Sequence, residues 1–143
     1  MSSGQNRHTS LSQGDTTWAN YEVKVRATFV EGSNLQIQFR RSSDGRDFYF
    51  LDFLAGWKAI SVTKKVGGVP GVTKLDVKNY PFEYGREYDI VIAIRGESVH
   101  TYIDGHLVNR LTHGFRRRGG IALATWGHNT VVRYRDPKVR HYH

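Results

Sequence analysis

The 143-residue chain predicts an all-β protein: a two-sheet antiparallel β-sandwich of jelly-roll type. Three observations carry this. About ten short runs alternate apolar and polar residues, each bounded by turn residues. No stretch of useful length shows helical periodicity. The segment Glu87–Val108 reads as three strands in close succession, with Asp104-Gly105 supplying a tight hairpin turn.

Taken in order, residues 1–16 read as a polar lead-in or linker, residues 17–140 as the sandwich domain and 141–143 as a tail. From Trp18 a strand places Tyr21, Val23, Val25, Ala27 and Phe29 on one face, with Glu22, Lys24, Arg26 and Thr28 on the other. Glu31–Asn34 turns the chain into Leu35, Ile37 and Phe39, which alternate with Gln36, Gln38 and Arg40. Phe48–Leu54 is apolar on both faces apart from Asp52, as a central strand should be. Ile60 and Val62 mark the next strand, Val66–Gly71 a loop, and Lys74–Val77 a short strand. In the meander, Tyr88, Ile90, Ile92 and Ile94 face the core. Ile121–Trp126 and a strand through Tyr134 to Val139 complete the set.

Composition narrows the function classes. Hydrophobic residues make up 38% and charged residues 24%, as in a globular chain. No apolar run reaches membrane-span length, and the polar N-terminus shows no signal-peptide core. The absence of cysteine excludes disulfides, thiolate metal sites and a cysteine nucleophile. The net charge of +8 favours anionic partners. Basic runs stand at Arg40-Arg41, Lys64-Lys65 and Arg116–Arg118, but no nucleic-acid motif accompanies them, so nucleic acid is not the expected partner.

Several segments together resemble the concanavalin A-like lectin/glucanase superfamily. They are Trp18-Ala-Asn-Tyr-Glu-Val, Ile37-Gln-Phe-Arg40, Phe48-Tyr-Phe-Leu, Tyr102-Ile-Asp-Gly, Gly119-Gly-Ile-Ala-Leu123 and Tyr134-Arg-Asp-Pro-Lys-Val139. Within it the chain is similar to small laminin-G-like and levan-binding-type carbohydrate-binding modules, and also to the 3-keto-disaccharide hydrolase domain. The resemblance implies two stacked, curved antiparallel sheets, with a carbohydrate site on the concave face or its adjoining loops. It also implies a place outside the cell or at its surface, as one part of a larger protein, with a linked catalytic domain as a candidate partner.

Sugar recognition needs an aromatic surface for the ring and fixed polar groups for its hydroxyls. Trp126 is the first candidate: with Ile121 and Leu123 inward, Ala122, Ala124 and Trp126 share the opposite face. In the resembling levan-binding modules an aromatic residue of this late strand contacts sugar; the alternative is that Trp126 closes the core. Gln38 and Arg40 share a strand face, and the planar Arg40 fork suits paired hydroxyls or a carboxylate. The alternative for Arg40 is a salt bridge to Asp52. Asp52, a lone charge in an apolar strand, either has a partner or lines a site. Trp57 and His128 lie in loops or strand ends beside that site.

The histidines are scattered, so no zinc site is expected. Some laminin-G-like relatives bind calcium at a sandwich rim, but the carboxylates here are too dispersed to predict it, and no cofactor is expected. The Glu-x-Asp-x-x-Glu pattern of the glucanases is missing, as are a nucleophile elbow and a phosphate loop. The expected function is therefore non-catalytic binding of a glycan, a fructan or an acidic polysaccharide. A protein-interaction domain and a glycoside or keto-disaccharide hydrolase are the alternatives.

Overall fold

The structure, a computed structural model, describes residues 18–114, 116–126 and 129–142, with backbone only for Trp126 and for 2–3 and 9–13. The strands are β1 (Ser2–Ser3), β2 (Thr9–Gln13), β3 (Tyr21–Glu31), β4 (Asn34–Arg41), β5 (Phe48–Leu54) and β6 (Ala59–Lys65). They continue with β7 (Thr73–Asn79), β8 (Glu87–Arg95), β9 (Ser98–Ile103), β10 (His106–Thr112), β11 (Gly120–Trp126) and β12 (Val131–His141). One sheet runs β1-β12-β3-β8-β9-β10 and the other β2-β11-β4-β5-β6-β7. Every pairing is antiparallel. This is the two-sheet sandwich that alternation predicts.

The pleat sends every second side chain inward. Tyr21, Val23, Val25 and Phe29 of β3 and Ile90, Ile92 and Ile94 of β8 are buried. From the other sheet they meet Leu35, Ile37, Leu51, Phe53 and Val62 in one cluster. Phe82 plugs one end, stacked on Phe29 at 5.8 Å and tilted against Phe53 at 5.0 Å. At the β9–β10 turn Asp104 and Gly105 have φ of 51° and 82°, the two positive values a type I′ turn demands.

The N-terminal stretch departs from the expected lead-in. Ser2 pairs with Arg133, and Leu11 pairs with Leu123, so β1 and β2 each add an outer strand to a sheet. An edge strand draws its ladder hydrogen bonds from the neighbouring backbone, which a polar segment such as Thr9-Ser-Leu-Ser-Gln13 can supply without apolar alternation. At the other end His141 pairs with Tyr21 instead of beginning a tail.

Two buried tyrosines join the sheets. The Tyr134 hydroxyl of β12 crosses the core to the carbonyl oxygens of Ala124 (2.7 Å) and Gln36 (2.8 Å). The Tyr21 hydroxyl donates to the Gly119 carbonyl at 2.8 Å and accepts from the Arg40 backbone N–H at 2.7 Å. Burial raises both phenols well above the usual tyrosine range, so they remain neutral donors. Replacing Tyr134 by Phe keeps the ring and removes the buried hydroxyl from both carbonyls. The expected loss is about 1–3 kcal/mol in chemical denaturation. An unchanged midpoint would mean the inter-sheet hydroxyl adds no net stability.

Candidate functional site

The same alternation that fills the core leaves a second face on the β4-β5-β6 side. With Tyr49, Leu51 and Phe53 inward, Phe48, Phe50, Asp52 and Leu54 of β5 face outward, beside Asn34 and Gln36 of β4. These residues floor a groove of about 1080 Å³. Its walls come from Gly45-Arg46, from the turn Ala55-Gly56-Trp57, and from the loop after β6 with Gly67, Gly68, Gly71 and Val72. Lys65 holds that loop by donating to the carbonyls of Val69 (2.6 Å) and Gly71 (3.1 Å). The Gly67 N–H donates to the Asp47 carboxylate at 2.6 Å. A Cβ on Gly67 would lie 2.8 Å from the Arg46 Cβ, so the glycine lets the two walls meet.

Trp57 stands on the rim with 64% of its surface exposed, and the Lys74 ammonium lies 5.6 Å from its ring centre. An indole left this open is an apolar platform, with the Lys74 ammonium against its ring. Asp52 lies beneath it on the floor, 2% exposed. It accepts a hydrogen bond from the Ser61 hydroxyl and another from Asn34 Nδ2 at 3.3 Å. Lys74 Nζ is 4.0 Å from its second oxygen. Burial pushes the Asp52 carboxyl up to about 6, against the opposing pull of Ser61 and Lys74. Asp52 is the one carboxylate among the described residues lining the groove, which also holds Arg46, Lys65 and Lys74.

Residues 2–140 match the 3-keto-alpha-glucoside-1,2-lyase-like domain. The chain belongs to this family. The family assignment spans both sheets and every wall of the groove. The chain is also 32% identical over 100 residues to an extracellular exo-alpha-L-arabinofuranosidase of Streptomyces chartreusis. That match covers 68% of this chain and 12% of the much longer relative. Among solved structures, carbohydrate-binding module CBM66 from Bacillus subtilis superposes with a TM-score of 0.85 at 13% identity, covering 96% of this chain and 84% of the module. Galectin LEC-6 of Caenorhabditis elegans superposes at 0.70 and 13% identity, covering 98% and 96%. At such identities these likenesses establish the fold, which is the concanavalin A-like jelly roll.

Against this lyase-like fold the six residues singled out in the sequence separate. Asp52 and Trp57 belong to the groove. Gln38 faces the same side but is 1% exposed, with its amide donating to Gln36 at 3.5 Å and its oxygen accepting from Arg41 at 3.1 Å. The Trp126 backbone pairs with Asn34, which lines the groove; its side chain lies outside the described residues, as does all of His128.

Arg40 is the correction. The register between β4 and β11 shifts beside it, and its φ of 46° breaks the pleat, so alternation does not carry its side chain onto the groove face. It is 1% exposed and makes no pair with Asp52. Its guanidinium instead donates to the carbonyls of Ala19 (3.0 Å) and Arg116 (2.9 Å). Burial lowers its pKa, and its Nε has no hydrogen-bond partner. Arg40 thus fastens the chain before β3 to the loop before β11.

The groove residues that the sequence reading passed over are Asn34, Arg46, Phe48, Phe50, Lys74 and the glycine-rich loop. Phe48 and Phe50 were accessible from the phase of Asp52 in β5, since residues two apart share a face. Arg46 and the loop depend on contacts across the fold that no local pattern records. Among the described residues no cluster of three His, Asp or Glu is arranged to hold a metal ion, and no helix is long and apolar enough to cross a membrane.

The Asp52 shift fixes a pH dependence. A carboxyl whose folded pKa lies above its unfolded value of 3.8 binds more protons when folded, so its contribution to stability falls as pH rises from about 4 to about 6. Across that window wild type loses roughly 3 kcal/mol relative to Asp52→Asn, by the worth of two pKa units. Urea midpoints of both proteins between pH 3.5 and 7 check this; parallel curves would contradict it.

Proposed function

We propose that the chain is a carbohydrate-binding module, one part of a larger extracellular protein, and that its ligand lies in the groove over Asp52. The exposed Trp57 carries the reading. A pyranose or furanose ring presents a C–H face that stacks on an open indole. Asn34, Gln36 and Asp52 below it offer donors and acceptors at fixed positions for ring hydroxyls. The family assignment, the likeness in fold to a carbohydrate-binding module and a galectin, and the partial match to a much longer extracellular glycosidase support this reading.

One observation favours a catalytic alternative. Burial pushes the Asp52 carboxyl up to about 6 with an ammonium beside it, an arrangement open to general acid or base chemistry, in a family named for a lyase. A glycoside hydrolase of the usual kind needs a second carboxylate, and none lines the groove among the described residues. Among the described residues, catalysis here would draw on Asp52 and Lys74, and turnover of a 3-keto-glucoside that Asp52→Asn abolishes would establish it.

For binding, a glycan array followed by titration calorimetry on the positive sugars is the test. Trp57→Ala is expected to weaken binding on the order of tenfold or more while the melting temperature holds, because the ring is outside the core. Unchanged affinity in that variant would remove the groove from the account.

A further inference from the structure

The charges around the groove narrow the class of sugar. Of its four ionisable lining residues, Arg46, Lys65 and Lys74 are cationic and Asp52 is anionic. Lys65 is engaged by two loop carbonyls. Lys74 has Asp52 as its ion-pair partner, at the loose distance of 4.0 Å and without a hydrogen bond. Arg46 has no hydrogen bond or ion pair from its guanidinium among the described residues. The neighbouring Asp44 accepts from the Ser42 hydroxyl (2.7 Å) and the Arg46 backbone N–H (3.0 Å) through one oxygen, and the Arg46 guanidinium acts on it through space without a hydrogen bond. The aliphatic stem of Arg46 packs on Gly67, so its position in the wall is set by the fold.

Resting on the carbohydrate reading, we infer that the groove takes an acidic glycan, with Arg46 and Lys74 receiving a carboxylate or sulfate on the sugar stacked against Trp57. A neutral sugar adds no partner for the exposed Arg46 guanidinium and leaves Lys74 only its loose pair with Asp52. An anionic substituent neutralises them and gains hydrogen bonds that are stronger for being charged. The planar Arg46 fork matches either oxyanion in two-point contact, and the Lys74 ammonium supplies a point charge. The net charge of +8 adds long-range attraction for a polyanion.

The test is calorimetry with matched pairs: polygalacturonate against its methyl ester, dextran sulfate against dextran, and levan as a neutral fructan. Wild type is expected to bind at least one acidic member about tenfold or more tighter than its neutral partner, with that advantage shrinking as salt is raised. The two pairs tell a carboxylate from a sulfate. Arg46→Gln and Lys74→Gln are each expected to lower the acidic-to-neutral ratio, with folding checked by thermal melts. Equal affinity within both pairs, or ratios untouched in both folded variants, overturns the inference. If levan or another neutral glycan binds equally well and Trp57→Ala abolishes it, the carbohydrate reading survives alone. If none of the five polymers binds, the groove's carbohydrate role falls and the inference with it.

Discussion

The two-residue period of β5 governs the rest. Tyr49, Leu51 and Phe53 must face the opposite sheet to close the core, and the same backbone then delivers Phe48, Phe50, Asp52 and Leu54 to the other face. A one-residue slip would bury Asp52 between the sheets and expose three large apolar side chains. Register here sets core and groove together. The pairings of Gln36 with Asp52 and of Asp52 with Ser61 put three polar side chains side by side on that outer face.

Around this strand the fold uses polar groups in two distinct ways. At the sandwich end near Arg40, polar groups tie loops to strands: Arg40 and Tyr21 are engaged with backbone carbonyls, and Arg116 Nε donates to the Arg40 carbonyl at 2.7 Å. These groups lock loops to the strands beside them. On the groove side, Asp52 is held by Ser61 and Asn34 but stays at the floor of an open space, and Trp57 and Arg46 project at its edges. Rigid support beneath and unsatisfied chemistry above is the arrangement a binding surface requires.

Most of the fold was legible in the sequence because alternation is local. β3, β4, β5 and the β8–β10 meander declare themselves through residues such as Val23, Ile37, Leu51 and Ile92. β2 did not, because an edge strand can be polar. The groove was half legible. Asp52 stood out as a lone charge in an apolar strand, and Trp57 as an aromatic beside a turn. Arg40 misled because its position in an alternating run implies the outer face, while a register shift and a positive φ turn it elsewhere. Arg46 and the loop of Gly67 and Gly68 were illegible, since their roles arise only where segments twenty residues apart meet.

In the proposed mode of binding, ligand meets the protein over Asp52 and Trp57. A nuclear magnetic resonance titration with a glycan that binds tests it most directly. The Trp57 indole N–H and the backbone amides of Arg46, Asp52 and Gly67 are expected to shift together and saturate at one affinity. Shifts confined to the Arg116–Arg118 end or to the outer face of the other sheet, with the Trp57 indole unmoved, would contradict it.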